Sequence, residues 1–292
     1  MKQRIVWILA ILVIASGAVA TGCGGALVSN EQERQIGADV SQQVAAEYRT
    51  VAEGDPVARW ADQLVQAMVP ASEEFRDPDE FGGYKVEVIA ADDLVNAFAV
   101  PGGYLYFATG IILQADTCAE LAGVVGHEIA HVTERHSAEK LSQSAVASSL
   151  ATVVLGEGLP SQIAQATWSF LQSTTFSRQD EKEADEVGTQ ILYETGYNPY
   201  ALAEMFRKLG ESGGPRPPEF LSSHPDPDNR VEAIHDLIQN KYGSRVRPNE
   251  TQTYDCIGTR LTLEQVKERI RNGQLQLDPP TESPSEDGAA SQ

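Results

Sequence analysis

Gly126-His127-Glu128-Ile129-Ala130-His131 is the stretch on which the reading of this chain turns. Around it, Leu121, Val124, Val125, Ile129 and Val132 recur near the 3.6-residue period, which predicts one helix from Thr117 to Arg135. On that helix His127 and His131 are four residues apart and share a face, one turn from each other. Two imidazoles so placed can hold one metal ion. Glu128 lies about a quarter-turn round, where its carboxylate can take the proton of an attacking water. The pattern has two free positions and also arises by chance, so the rest of the chain must supply a further ligand.

A candidate lies fifty residues beyond His131, in Phe176-Ser177-Arg178-Gln179-Asp180-Glu181-Lys182-Glu183-Ala184-Asp185. Glu181 and Asp185 are again four apart on a predicted helix and share a face. Glu181 is the expected third ligand. Asp185 is expected to accept a hydrogen bond from the non-ligating N–H of a metal-bound histidine, which would fix its tautomer. Glu183 points about 200° away from Glu181 and cannot share that task. His136, five after His131, is turned about 140° from it and is expected at the surface, off the metal. His235 sits on a late helix without a partner motif and reads as a core or surface residue.

Composition bounds the class. The chain has 292 residues, 41% hydrophobic and 22% charged, enough for one large globular domain. Its 42 acidic against 22 basic residues give a net charge of -20, which argues against nucleic-acid binding and against electrostatic docking to anionic lipid.

The chain opens with Lys2 and Arg4 before an uncharged, mostly apolar run, followed by Val19-Ala20-Thr21-Gly22-Cys23. This reads as a secretory signal over residues 1–22 that resembles a bacterial lipobox, with Cys23 the lipidated first mature residue. The rival reading is an uncleaved anchor, for which Gly22-Cys23-Gly24-Gly25 comes early. Either way the body of the protein is expected at a membrane surface in the cell envelope. As a lipoprotein of a Gram-negative cell it would face the periplasm, on the outer membrane rather than the inner. Cys118 and Cys256 remain. They can pair in an oxidising compartment or stand as separate buried thiols, the second being slightly favoured.

The elements follow. After a tether over 23–30, helices are predicted at Asn30 to Val51 and at about Asp55 to Met68, then a loop from Ala71 to Gly83. Strands are predicted at Tyr84 to Ile89, Asn96 to Val100 and Tyr104 to Ala108. Leu141 to Ser177, poor in charge and broken at Gly156 and Gly158-Leu159-Pro160, reads as two packed helices. Further helices are expected at Arg178 to Glu194, Tyr200 to Leu209, Asp228 to Asn240 and Thr262 to Arg271, with a loop from Gly210 to Pro218. Residues 31–245 are expected to form one domain, with 246–277 a small segment packed on it and 278–292 a disordered tail.

Taken together, His127-Glu128-Ile129-Ala130-His131, Ser177-Arg178-Gln179-Asp180-Glu181-Lys182-Glu183-Ala184-Asp185 and Ser222-Ser223-His224-Pro225 with Arg230 resemble metallopeptidase family forty-eight. These are gluzincins related to HtpX-type heat-shock proteases, CAAX prenyl proteases and periplasmic BepA-like proteases. Asn96-Ala97-Phe98-Ala99 with Pro101-Gly102-Gly103 is similar to the family's strand ahead of the metal helix. The resemblance runs from about Glu31 to Asn240. It implies an α+β zincin (gluzincin) fold, mainly helical, with a small mixed β-sheet beside the H-E-x-x-H helix. It also implies one Zn²⁺ held by His127, His131 and Glu181, with Glu128 as general base. His224 would stabilise the transition state, or bind the resting metal as a fourth ligand. Arg230 would orient its loop or pair with a carboxylate. Asn96, Ala97 and Phe98, or the neighbouring strand from Tyr104, would offer a sheet edge to an extended peptide. The chain shows neither the membrane spans of HtpX-like members nor the tetratricopeptide region of BepA-like ones, so fold and reaction carry over better than any substrate. The expected function is a membrane-tethered zinc metalloendopeptidase acting on unfolded or misassembled envelope proteins. The alternative is a non-enzymatic envelope chaperone or assembly factor that keeps the site.

Overall fold

The computed structural model describes residues 28–147, 161–173, 175–211, 218–225, 227–246 and 255–279. The signal at 1–22, Cys23, the break around Gly156 to Pro160 and the tail beyond 279 lie outside them. Helices α1 (Asn30–Glu47) and α2 (Pro56–Gln66) come first, then strands β1 (Lys85–Ile89), β2 (Ala97–Val100) and β3 (Tyr104–Ala108). Helices α3 (Cys118–Thr133), α4 (His136–Ala147), α5 (Ser161–Ser173), α6 (Arg178–Thr195), α7 (Tyr200–Glu211), α8 (Pro227–Tyr242) and α9 (Leu263–Arg271) follow. The fold is therefore mainly helical with one small mixed sheet. No described helix is long and apolar enough to cross a membrane.

The sheet order is β1-β3-β2, with β3 parallel to β1 and antiparallel to β2. Tyr104 to Ala108 is thus the middle strand, and only β2 presents an edge on its side of the sheet. Gly102, at φ 78°, makes the turn between β2 and β3. That is left-handed backbone, where glycine carries no Cβ penalty.

Helix α3 is buried along its whole length, so its apolar side chains pack all round rather than along one stripe. Thr117 caps its start by accepting the Glu120 N–H at 3.2 Å. Val124, Val125 and Ile129 join Trp60 and Leu64 of α2, Leu192 of α6, and Leu202 and Phe206 of α7 in the main core. Helix α6 crosses α3 at two glycines: a Cβ on Gly188 would lie 3.1 Å from the His127 Cα. That close approach brings the first turns of α6 up to the histidines. Ser177 opens α6 with a capping box shared with Asp180, an arrangement worth about 1 kcal/mol.

The C-terminal residues described pack on the same core through Cys256, Leu263, Val266 and Ile270. Cys118 and Cys256 form a disulfide, with Cα atoms 5.2 Å apart. This corrects the preference for separate thiols: 138 residues part them in sequence, and they meet because α9 packs on the short helix Thr109–Gln114 that leads into α3 and the Ile257 N–H donates to Tyr197 Oη at 2.6 Å. A bridge across so long a loop restricts the unfolded chain. Cys256→Ala is expected to cost about 2–4 kcal/mol, read as a lower denaturant midpoint under oxidising conditions and no difference from the wild type under reductant.

Candidate metal centre

His127 and His131 project from one face of α3, as their spacing requires, and α6 lays Glu181 against them. The short helix Glu219–Ser223 ends at His224, which completes the group. Each of His127, His131, Glu181 and His224 is at most 2% exposed. One ligand atom from each lies within 4.8 Å of all the others. His127 Nε2 is 3.1 Å from His131 Nε2 and 3.2 Å from His224 Nδ1, and His224 Nδ1 is 2.9 Å from Glu181 Oε1. Glu181 oxygens lie 3.5 Å from His127 Nε2 and 3.7 Å from His131 Nε2. A tetrahedron with bonds of about 2.0–2.1 Å has edges of about 3.3–3.4 Å. Imidazole nitrogens converging at these distances repel unless a cation or proton lies between them. The donor set therefore fits one tetrahedral metal ion.

The electrostatics agree. Burial pulls the His127 imidazole down, but Asp185 and Glu181 outweigh it and hold its pKa up at about 9, so this spot favours positive charge. His131 is pushed well below the ordinary histidine range by burial and by His127, which favours a neutral ring. Burial would raise Glu181, yet the charges of His224 and Arg230 keep it well below the usual carboxylate range.

Around this shell, Asp185 Oδ1 is 3.2 Å from His127 Nδ1, on the side away from the other ligand atoms. Arg230 from α8 clamps Asp185 with Nε at 2.9 Å and Nη2 at 2.6 Å, reaches Glu181 Oε2 with Nη1 at 2.5 Å, and stacks 4.1 Å above the Phe206 ring. Glu128 is 1% exposed. Neither of its oxygens has a hydrogen bond of good geometry, and His224 Nε2 lies 3.3 Å from Oε1. Strand β2 runs beside the group, with Asn96 and Phe98 in a cleft that His224 also lines. Ala97, between them, is buried.

His136 is not at the surface. It is 1% exposed, with Nδ1 2.9 Å from His131 Nδ1 and Nε2 3.4 Å from Glu183 Oε2. The helical angle that placed it elsewhere does not apply, because α3 stops at Thr133 and a new helix begins at His136. Arg135 makes the break at φ 60°. That conformation costs a non-glycine residue about 1–2 kcal/mol, and Arg135 is held in it by ion pairing to the buried Glu33 at 3.1 Å. Phe176, stacked 3.9 Å from the His131 ring, also escaped a reading confined to titratable groups. His235 lies apart, edge-on to Tyr200 at 5.0 Å.

A histidine that holds a ligand histidine in its tautomer commonly contributes 10- to 100-fold to metal affinity. His136→Ala is expected to weaken metal binding by about that much, measured by competition with a chromophoric chelator. An unchanged affinity would reduce His136 to packing.

A sequence model described as peptidase family M48 matches residues 57–238. The beta-barrel assembly-enhancing protease of Yersinia pestis is 31% identical over 221 residues, covering 71% of this chain and 44% of its own length. The protein of that name from Escherichia coli K12 is 28% identical over 221 residues, with the same coverage of 71% and 44%. The mitochondrial metalloendopeptidase OMA1 of Arabidopsis thaliana is 34% identical over 153 residues, 52% of this chain and 31% of its own length. The chain spans less than half the length of each of these relatives.

Proposed function

Because the chain belongs to peptidase family M48, we propose that it is a zinc-dependent metalloendopeptidase that cuts unfolded or misassembled proteins of the cell envelope. The observation that carries this reading is the buried His127, His131, Glu181 and His224 group with the Glu128 carboxylate beside it. Nitrogen and oxygen donors at tetrahedral spacing favour zinc. When bound, zinc supplies the Lewis acidity that polarises a scissile carbonyl and lowers the pKa of water. Glu128 takes the proton of the attacking water and passes it to the leaving amine. Asp185 holds His127 in one tautomer, and Arg230 holds both Asp185 and Glu181. His224 has two roles: with Nδ1 among the ligand atoms it closes the site at rest, and turned outward it donates to the developing oxyanion.

The envelope assignment is supported by the signal-like opening and by relatives named for β-barrel assembly. In this reading a lipidated Cys23 tethers the enzyme, and residues 31–245 form the catalytic domain. The test is proteolysis of an unfolded chain such as casein. Cleavage is expected to stop with a chelator and return with stoichiometric zinc. Cleavage that persists at zero bound metal refutes the mechanism.

A further inference from the structure

The cleft between β2 and helices α4 and α5 has a volume of about 420 Å³ and opens beside His224. Its apolar walls are Leu94, Phe98, Leu171 and Phe176, all half-buried, with Trp168 behind them, while Lys140, 3.8 Å over the Phe176 ring, and Glu219 line its polar part. The aromatic wall is fixed in advance. Phe98 stacks on Tyr106 at 4.9 Å and leans on Trp168 at 5.4 Å. The Trp168 indole N–H donates to Glu47 Oε2 at 2.7 Å, and Gln172 Nε2 donates to the other Glu47 oxygen at 3.1 Å. Helix α5 is thereby tied to α1, so the cavity is held open instead of collapsing on itself, which lowers the ordering cost of a guest. Asn96 Oδ1, at the same cleft, is buried without a hydrogen-bond partner. It is an acceptor placed where a peptide N–H could donate.

Successive side chains of a strand alternate between faces, and Asn96 and Phe98 share the face that looks into this cleft. A peptide laid along the β2 edge turns alternate side chains to that face. We infer that this cleft is a selective subsite that takes one large apolar or aromatic side chain of an extended peptide, close to the bond that is cut. It rests on the peptidase reading and gives it a substrate class: extended segments with bulky apolar residues on one face, which folded proteins bury and unfolded ones expose. Strand neighbours of the selected residue face the other way and are read weakly.

The test is a set of quenched fluorescent peptides, polar throughout, with one Phe moved stepwise through the sequence and Ser as reference. One position is expected to raise kcat/KM by about 10- to 200-fold, with its immediate neighbours near unity. Leu171→Trp, which fills the cleft from a half-buried site, is expected to bring the ratio of kcat/KM for the Phe and Ser peptides close to unity. A flat Phe scan, or a Phe preference unmoved by Leu171→Trp, overturns the subsite. Binding of the same peptides to Glu128→Gln by fluorescence anisotropy separates the two readings. If the wild type cuts nothing but the Phe peptide still binds better than the Ser peptide, and Leu171→Trp abolishes the difference, the subsite stands and the peptidase reading falls. Equal binding of both peptides overturns the subsite.

Discussion

Glu128→Gln is expected to lower peptide hydrolysis by about 10²- to 10⁴-fold and to leave the bound metal in place. The substitution keeps the volume and shape of a side chain that is 1% exposed, so the packing around it is preserved. It removes only the ability to take a proton. Glu128 is not among the four groups whose ligand atoms converge, so metal content is expected to match the wild type. Burial pushes the Glu128 carboxyl up from its ordinary range, against the opposing pull of His224 and His127. A base raised in this way sits closer to working pH, where proton transfer from water is best matched. The measurements are kcat/KM on a quenched peptide and metal content of the dialysed protein. Activity within tenfold of the wild type would remove Glu128 from the role of base. Loss of metal together with activity would mean that it holds the ion instead.

How much of this centre could be read in advance depended on how local its geometry is. His127 with His131, and Glu181 with Asp185, are pairs four residues apart inside unbroken helices, and a fixed helical pitch places such pairs without knowledge of the fold. His136 failed the same arithmetic because Arg135 leaves the helical region at φ 60°. The break is stabilised by Glu33, far away in sequence, so no window around the histidine contains its cause. The strands were each recognisable from alternation and turn residues. Their order was not, because the parallel pairing of β1 with β3 depends on a crossover and on which faces the helices cover. The Cys118–Cys256 bridge was undecidable for a similar reason. It depends on α9 packing on the short helix Thr109–Gln114 just before α3, a contact between chain segments that share no motif.

Arg230→Met is expected to destabilise the metal-free protein by about 3–5 kcal/mol, and zinc is expected to return a larger share of stability to this variant than to the wild type. Arg230 is 7% exposed; it hydrogen-bonds Asp185 through Nε and Nη2 and makes an ion pair with Glu181 through Nη1. Taking two carboxylates out of water is costly, and a buried ion set breaks even only when each charge keeps its partners. Methionine fills much of the volume over Phe206 but removes the guanidinium that pairs with both Asp185 and Glu181, leaving them only the histidines, His127 beside both and His224 beside Glu181. His127 can offset Asp185 in part, at 3.2 Å. A metal held by Glu181 supplies the missing positive charge to that carboxylate but not to Asp185, so recovery is expected to be incomplete. Lysine is a poor replacement, since one ammonium cannot reproduce a fork that spans both acids. The double variant Arg230→Met with Asp185→Leu is expected to regain stability over Arg230→Met alone, because it removes the stranded charge, yet to bind metal less tightly for want of the group that orients His127. Urea unfolding with and without chelator, run on all three proteins, separates these effects. A loss under about 1 kcal/mol for Arg230→Met would show that the clamp is no stronger than a surface ion pair, and that the ligand shell stands without it.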